Sequence, residues 1–183
     1  LSTTFPDISF QGREGRFADI ARDLTEGRMD IAISFDVGFA GPFNRYKIKD
    51  VAPVAFLATD HPLAQKQTVD LSDLALDPLI LFSEDLSEGY MRDLFERVKI
   101  APTIQQKVAS LEMMRSLAAH GVGVGISYSR PPNDISYDGK RLVTVPISTP
   151  EAQTEISLIW SARRRESPVF EDILKALSVT APF

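Results

Sequence analysis

The sequence predicts an α/β fold with mainly parallel sheets, and three observations predict it. Strand-like and helix-like periodicities alternate from one end of the chain to the other, with no internal repeat or low-complexity tract. At 183 residues the chain buries a substantial core, as one domain or as two small α/β lobes that share a hinge. Its 44% hydrophobic and 25% charged residues are those of a globular chain rather than a disordered or fibrous one.

The first expected element is a strand over residues 7–12, where Ile8 and Phe10 share a face and Gly12 closes it. In RFADIARDLTEG, Phe17, Ile20, Ala21 and Leu24 recur at i, i+3, i+4 and i+7, an amphipathic helix stopped by Gly27. Met29, Ile31, Ile33 and Phe35 then alternate as in a strand. Together these predict a parallel strand pair with a right-handed crossover. VAPVAFLAT reads as a buried strand with Pro53 at its start or on an edge. His61-Pro62 marks a bend, residues 70–76 a short helical turn, and PLILF a further strand. Ser87 is the expected N-cap of a helix burying Tyr90, Leu94, Phe95 and Val98. A strand over 104–108 leads to Ser110, which caps a helix lined by Met114, Leu117 and Ala118. After a polar loop, LVTVPI and TEISLIWSA return as strands. Ser167-Pro168 opens the last helix, whose stripe is Phe170, Ile173, Leu174 and Leu177.

The alternate glycines of AAHGVGVGISYSR raise the question of a phosphate cradle. A dinucleotide fingerprint needs a strand before its glycines and a helix after them. Here a helix precedes Gly121, Val122, Val124 and Ile126 alternate as in a strand, and Ile126 stands where the third glycine belongs. The plainer reading is preferred: Gly121 stops the helix, while Gly123 and Gly125 lie where a helix or ligand packs close to the backbone.

Composition excludes several function classes. A formal net charge of −5 gives no general attraction for nucleic acid or an anionic membrane. With no cysteine there are no disulfides, thiolate ligands or cysteine nucleophiles. The longest apolar run, residues 51–58, is far too short to span a bilayer. The chain opens on Leu1 without a charged leader, so it is expected to be a fragment whose upstream part is absent.

SLEMMRSLAAHGVGVGISYSR resembles the helix-to-strand signature of the effector-binding domain of LysR-type transcriptional regulators. LTEGRMDIAIS, VAFLATDHPLAQKQTVDLSDLALDPLILF and RRRESPVFEDILKAL are similar to three further motifs of that family, in the same order. The resemblance covers nearly the whole chain. It implies two Rossmann-like lobes joined by two crossover strands, a type 2 periplasmic-binding-protein-like fold with a small effector in the cleft between lobes. Lobe I is expected at 1–60 plus 157–183 and lobe II at 61–156, with AFLATDHP and EISLIWSA as the crossings. The front departs from the family: the DNA-binding region, the first strand and most of the first helix have no counterpart in the chain.

Open α/β sheets bind ligands at the carboxyl ends of strands, where helix N-termini offer free N–H groups. That rule picks out Gln11, Gly12 and Arg13, then Ser34, Phe35 and Asp36, then Ser83, Glu84 and Tyr90, and finally Ser127 and Tyr128. Family matching points to the same loops, although relatives often carry Ser or Thr where Gln11 and Gly12 stand. Arg13 and Arg130 read either as a clamp on a carboxylate ligand or as solvated loop arginines. Glu84, Asp85 and Glu88 either hold a cation or favour the helix that follows. Tyr90 and Tyr128 stack on a ligand or pack in the core. The triplet 163–165 reads as a solvated turn.

His61 and His120 lack metal-pair spacing, and no nucleophile elbow or Walker loop is present. No catalytic residue, metal or cofactor is therefore expected. The leading expectation is the effector-sensing domain of a cytoplasmic LysR-type regulator. It would take a small organic effector, an anion being one option, and would pair as a homodimer through residues 17–26 and 111–120. The full-length protein is expected to be a tetramer that touches DNA through a separate domain and has no membrane contact. A periplasmic solute-binding protein of the same fold is the alternative, and a small α/β enzyme a third reading.

Overall fold

The structure, a computed structural model, describes residues 3–36, 39–83, 86–164 and 167–180. In chain order its elements are α1 (Phe17–Thr25), β1 (Ala32–Phe35), β2 (Phe43–Val51), β3 (Val54–Ala58), α2 (Leu71–Leu74), β4 (Leu79–Phe82), α3 (Leu86–Arg97), β5 (Ile104–Val108), α4 (Leu111–Ala119), β6 (Val124–Ser127), β7 (Leu142–Pro146), β8 (Thr154–Ser161) and α5 (Pro168–Thr180). Two compact units result, Leu1–Asp50 with Glu155–Phe183, and Val51–Thr154. The expected boundaries were 60 and 157. β3 falls wholly in the second unit because β6 and β7 take both its edges.

The first unit holds a three-stranded sheet in the order β1-β8-β2. Leu24 of α1 sits in a cluster with Ala32, Phe39, Phe43 and Ile159, and Phe17, Ile20 and Ala21 pack around it. The helix ends as its sequence predicts: Gly27 at φ +72° turns the chain, and the N–H groups of Arg28 and Met29 donate back to the Asp23 carbonyl at 2.8 and 3.1 Å. Ser167 caps α5, its Oγ accepting from the Phe170 N–H at 3.3 Å, and the Phe170 ring meets Trp160 edge-on.

Three expectations fail in this unit. Residues 7–12 form no strand; Ile8 N–H closes a turn onto the Phe5 carbonyl, and the Phe5 and Phe10 rings pack on each other. Their alternation finds no neighbouring strand, so it buys no ladder. β1 pairs antiparallel with β8, Ala32 opposite Ile159 and Phe35 opposite Ile156, so the parallel crossover is not formed. Within β1 the buried residue is Ala32, while Ile33 is exposed, the reverse of the expected phase. β2 was not foreseen, because Asn44, Arg45, Tyr46 and Lys47 are all exposed and carry no apolar period.

The second unit holds five strands in the order β5-β4-β6-β3-β7. β4 runs parallel to β5 and β6, but β3 is antiparallel to β6 and β7, so the sheet is mixed rather than mainly parallel. Met91, Leu94 and Phe95 of α3 cluster with Leu79, Leu81, Val124 and Ile126; Met114 and Ala118 of α4 cluster with Phe56 and Ile80. Alternate residues of β4 thus serve two helices. Ser87 is not an N-cap but lies inside α3. Ser110 does cap α4, its Oγ accepting from the Met113 N–H at 3.4 Å.

The glycine stretch is a packing device. Gly121 ends α4 at φ +71°, and a β-carbon on Gly125 would lie 2.6 Å from Met114 Cγ. One on Gly123 would collide with the Pro78 carbonyl oxygen, which already accepts from the Val124 N–H. That donor is not offered to a phosphate.

On α4, Arg115 is 2% exposed and pins the loop that follows β6. Its Nη1 donates to Glu112 Oε1 at 2.6 Å, and its Nη2 donates to the carbonyls of Asn133 and Ile135 at 2.5 and 3.0 Å. Its guanidinium also lies 5.8 Å over the Phe56 ring. Among the described residues no helix is long and apolar enough to cross a membrane.

Candidate functional site

In the second unit the parallel trio β5-β4-β6 brings three carboxyl ends to one edge of the sheet, Phe82 in register with Val108 and Ile80 with Gly125. Ser83, Ser110 and Ser127 therefore share that edge, and α3 and α4 start there. Ser83 is tied down twice: its N–H donates to the Val108 carbonyl at 2.8 Å and its Oγ donates to Glu88 Oε2 at 2.6 Å. The other carboxylate oxygen of Glu88 takes the Lys107 ammonium. Lys107, and after it Ser83, hold the Glu88 carboxyl below its ordinary range. Ser127 Oγ accepts from the Ser129 N–H at 3.0 Å. Glu84 and Asp85 lie outside the described residues.

Tyr90 and Tyr128 lie side by side. Their rings meet edge-on at 5.9 Å and pack against the core cluster of α3 and the sheet. Tyr128 Oη donates to the Ala152 carbonyl at 2.6 Å, which leaves Tyr90 to donate across the 3.3 Å between the two hydroxyls. Burial, and then the Tyr90 hydroxyl, push the Tyr128 phenol well above its usual range.

In the first unit, Gln11 and Gly12 are exposed in irregular backbone. Arg13 pairs with Asp23, which is 5% exposed and also accepts from Arg28 Nη2 at 2.6 Å, so Arg13 neutralises a buried carboxylate of α1. A recess of about 280 Å³ beside it is lined by Arg13, Glu14, Asp19 and Arg22 among others. Ser34 is half-buried opposite Ser157, and Phe35 is opposite Ile156. Asp36, at the carboxyl end of β1, is held by a residue that sequence reasoning missed. Arg45 of β2 donates Nε to Asp36 Oδ2 at 2.8 Å and its two terminal nitrogens to the Phe43 and Phe39 carbonyls at 2.9 and 2.5 Å. Lys107 was missed as well. Neither carried a signal, since the carboxylate each one pairs with lies outside its own strand.

The remaining polar clusters are structural. His61 accepts from the Leu63 N–H at Nδ1, 3.2 Å away, and faces Asp77 with Nε2 at 3.4 Å. His120 Nε2 lies 2.7 Å from Asp138, whose carboxylate also accepts from Ser136 and Ser116 at 2.5 and 3.0 Å. Ser136, and after it His120, keep the Asp138 carboxyl well below its ordinary range. Arg164 pairs with Asp30 and lies 4.2 Å over the Phe170 ring, while Arg163 and Arg130 are exposed and Arg165 lies outside the described residues. Among the described residues no group of three His, Cys, Asp or Glu side chains could hold a metal ion.

Comparison with known proteins places these features in a family. Residues 1–180 match the LysR substrate binding domain. The HTH-type transcriptional regulator YnfL of Escherichia coli K12 is 27% identical over 167 residues, covering 90% of this chain and 55% of YnfL. The crystal structure of HinK, a LysR family transcriptional regulator from Pseudomonas aeruginosa, superposes with a TM-score of 0.87 at 26% identity, over 98% of this chain and 63% of HinK. The effector binding domain of QuiR in complex with shikimate shares the fold, with a TM-score of 0.77 at 24% identity, over 97% of this chain and 83% of that one. The chain thus spans about half the length of the curated relative it matches. Its fold is the α/β, periplasmic-binding-protein-like fold of LysR effector-binding domains, and the chain belongs to the LysR substrate-binding domain family.

Proposed function

We propose that this chain senses a small organic effector for a LysR-type transcriptional regulator whose DNA contacts lie elsewhere in the full-length protein. The observation that carries the reading is the family match over residues 1–180, from relatives that are transcriptional regulators rather than solute-binding proteins. The two compact units correspond on this reading to regulatory subdomains I and II. Gln11, Ser34 and Asp36 in the first unit and Ser83 and Ser127 in the second are the polar groups offered to the effector. Binding biases the regulator between oligomer arrangements by its differential affinity for them, with no chemistry done on the effector. The oligomer is a homodimer of sensing domains through α1 and α4 and a tetramer in the full-length, cytoplasmic protein.

The test uses full-length protein and its operator in a fluorescence anisotropy titration against a panel of small metabolites. One metabolite is expected to change operator affinity by about 5- to 150-fold, the usual span of allosteric coupling. Ser34→Trp should abolish that response and leave the melting temperature unchanged. A Ser34→Trp protein that responds like the wild type removes β1 from the site, and a panel without any response counts against the reading.

A further inference from the structure

The Ser83, Glu88 and Lys107 cluster has the form of an occupied anion site. One carboxylate receives a hydroxyl on one oxygen and an ammonium on the other, at the carboxyl ends of two adjacent parallel strands and beside the first turn of a helix. Arg92, one turn further along α3, adds positive potential at the same carboxylate. This is the donor set a small carboxylate ligand would meet, and here it is satisfied from within the chain. The fold does not require the pair. Lys107 lies on an exposed edge strand and both side chains are partly solvated, so their ion pair adds little to stability.

We propose that Ser83 and Lys107 form a carboxylate-binding subsite of the effector site, with Glu88 as a built-in competitor that an anionic effector must displace. The proposal rests on the effector-sensing reading and deepens it by naming the ligand class. Glu88 sets the threshold: only a ligand that offers a carboxylate, together with contacts elsewhere, outcompetes it. Neutral ligands gain nothing at this position, and cations are repelled by Lys107 and Arg92.

The experiment titrates benzoate, with benzamide as the uncharged control, into the 183-residue chain and its variants by calorimetry. If Glu88 fills the subsite about nine-tenths of the time, Glu88→Gln tightens benzoate about tenfold, since an internal competitor lowers apparent affinity by the fraction of open sites. Adding Lys107→Gln to that variant removes the gain, and adding Ser83→Ala reduces it. Benzamide should behave alike throughout. Equal benzoate affinity in wild type and Glu88→Gln, a gain that survives Lys107→Gln, or a Glu88→Gln chain that ignores benzoate would each overturn the subsite. Should that happen while operator binding still answers to a metabolite, the sensing reading stands alone. If benzoate is captured at Lys107 and no metabolite moves operator binding, the subsite stands and the sensing reading falls.

Discussion

A β-carbon at Gly123 would press on a backbone oxygen, one at Gly125 on a methionine side chain, and one at Gly121 would meet open space at a left-handed φ. These three circumstances predict an order of damage. Gly121→Ala should cost about 1–2 kcal/mol, the penalty of left-handed backbone. Gly125→Ala should cost about 1–3 kcal/mol, as overpacking does, because Met114 is fully buried. Gly123→Ala should exceed both, since the Pro78 carbonyl belongs to a sheet that cannot shift without breaking the β4–β6 ladder. Urea midpoints check the order, and a Gly121→Ala variant that ranks worst would refute the packing account. Tyr128 gives a pH test. Its folded-state phenol is raised above an unfolded value near 10, so its contribution is complete below that pH and declines as pH rises beyond it. Stability should fall steadily as pH rises above about 10, and Tyr128→Phe should flatten the fall. Equal slopes for the two proteins would remove Tyr128 as its cause. The sequence placed Gly121 and both tyrosines at their elements, but not the acceptor of the Tyr128 hydroxyl, since the Ala152 carbonyl is distant in sequence and supplied only by the fold.

Elements whose apolar period is satisfied by a neighbour were legible in advance: α1, α4, α5 and β4 lie where their spacing predicts. The errors share one cause. Residues 7–12 alternate but find no strand partner, whereas β2 lacks alternation and is a strand because β8 lies beside it. A ladder is a property of pairs, so a single-strand pattern misjudges both cases. The loop between β6 and β7 shows the same limit, since it is held by Arg115, a charged residue buried beside Met114, Ala118 and Ala119 of α4. Arg115→Met is expected to destabilise the chain by about 2–3 kcal/mol, because the carbonyls of Asn133 and Ile135 lose a charged donor. Amide exchange should quicken at residues 133–141 more than in β3 or β4. Uniform quickening would show that Arg115 supports the core and not this loop.

The two units differ in how the chain builds them. Both apolar clusters of Val51–Thr154 are made entirely from within that segment, while the cluster around Leu24 needs Ile159 from the far side of it. Residues 51–154 expressed alone should therefore unfold cooperatively in urea, and residues 1–50 alone should show no cooperative transition. A non-cooperative 51–154 fragment would mean that the second unit depends on the first. β3 reads as a strand on either side of a boundary, and only its partners β6 and β7 place it in the second unit. Because β8 is the middle strand of the first sheet, birth order on the ribosome is reversed relative to folding order. Leu24, Phe39 and Phe43 emerge early, yet they must wait for roughly 100 further residues, about 5–20 seconds of translation, before Ile159 arrives to cover them. Nascent chains of this protein should consequently draw on holdase chaperones during that interval.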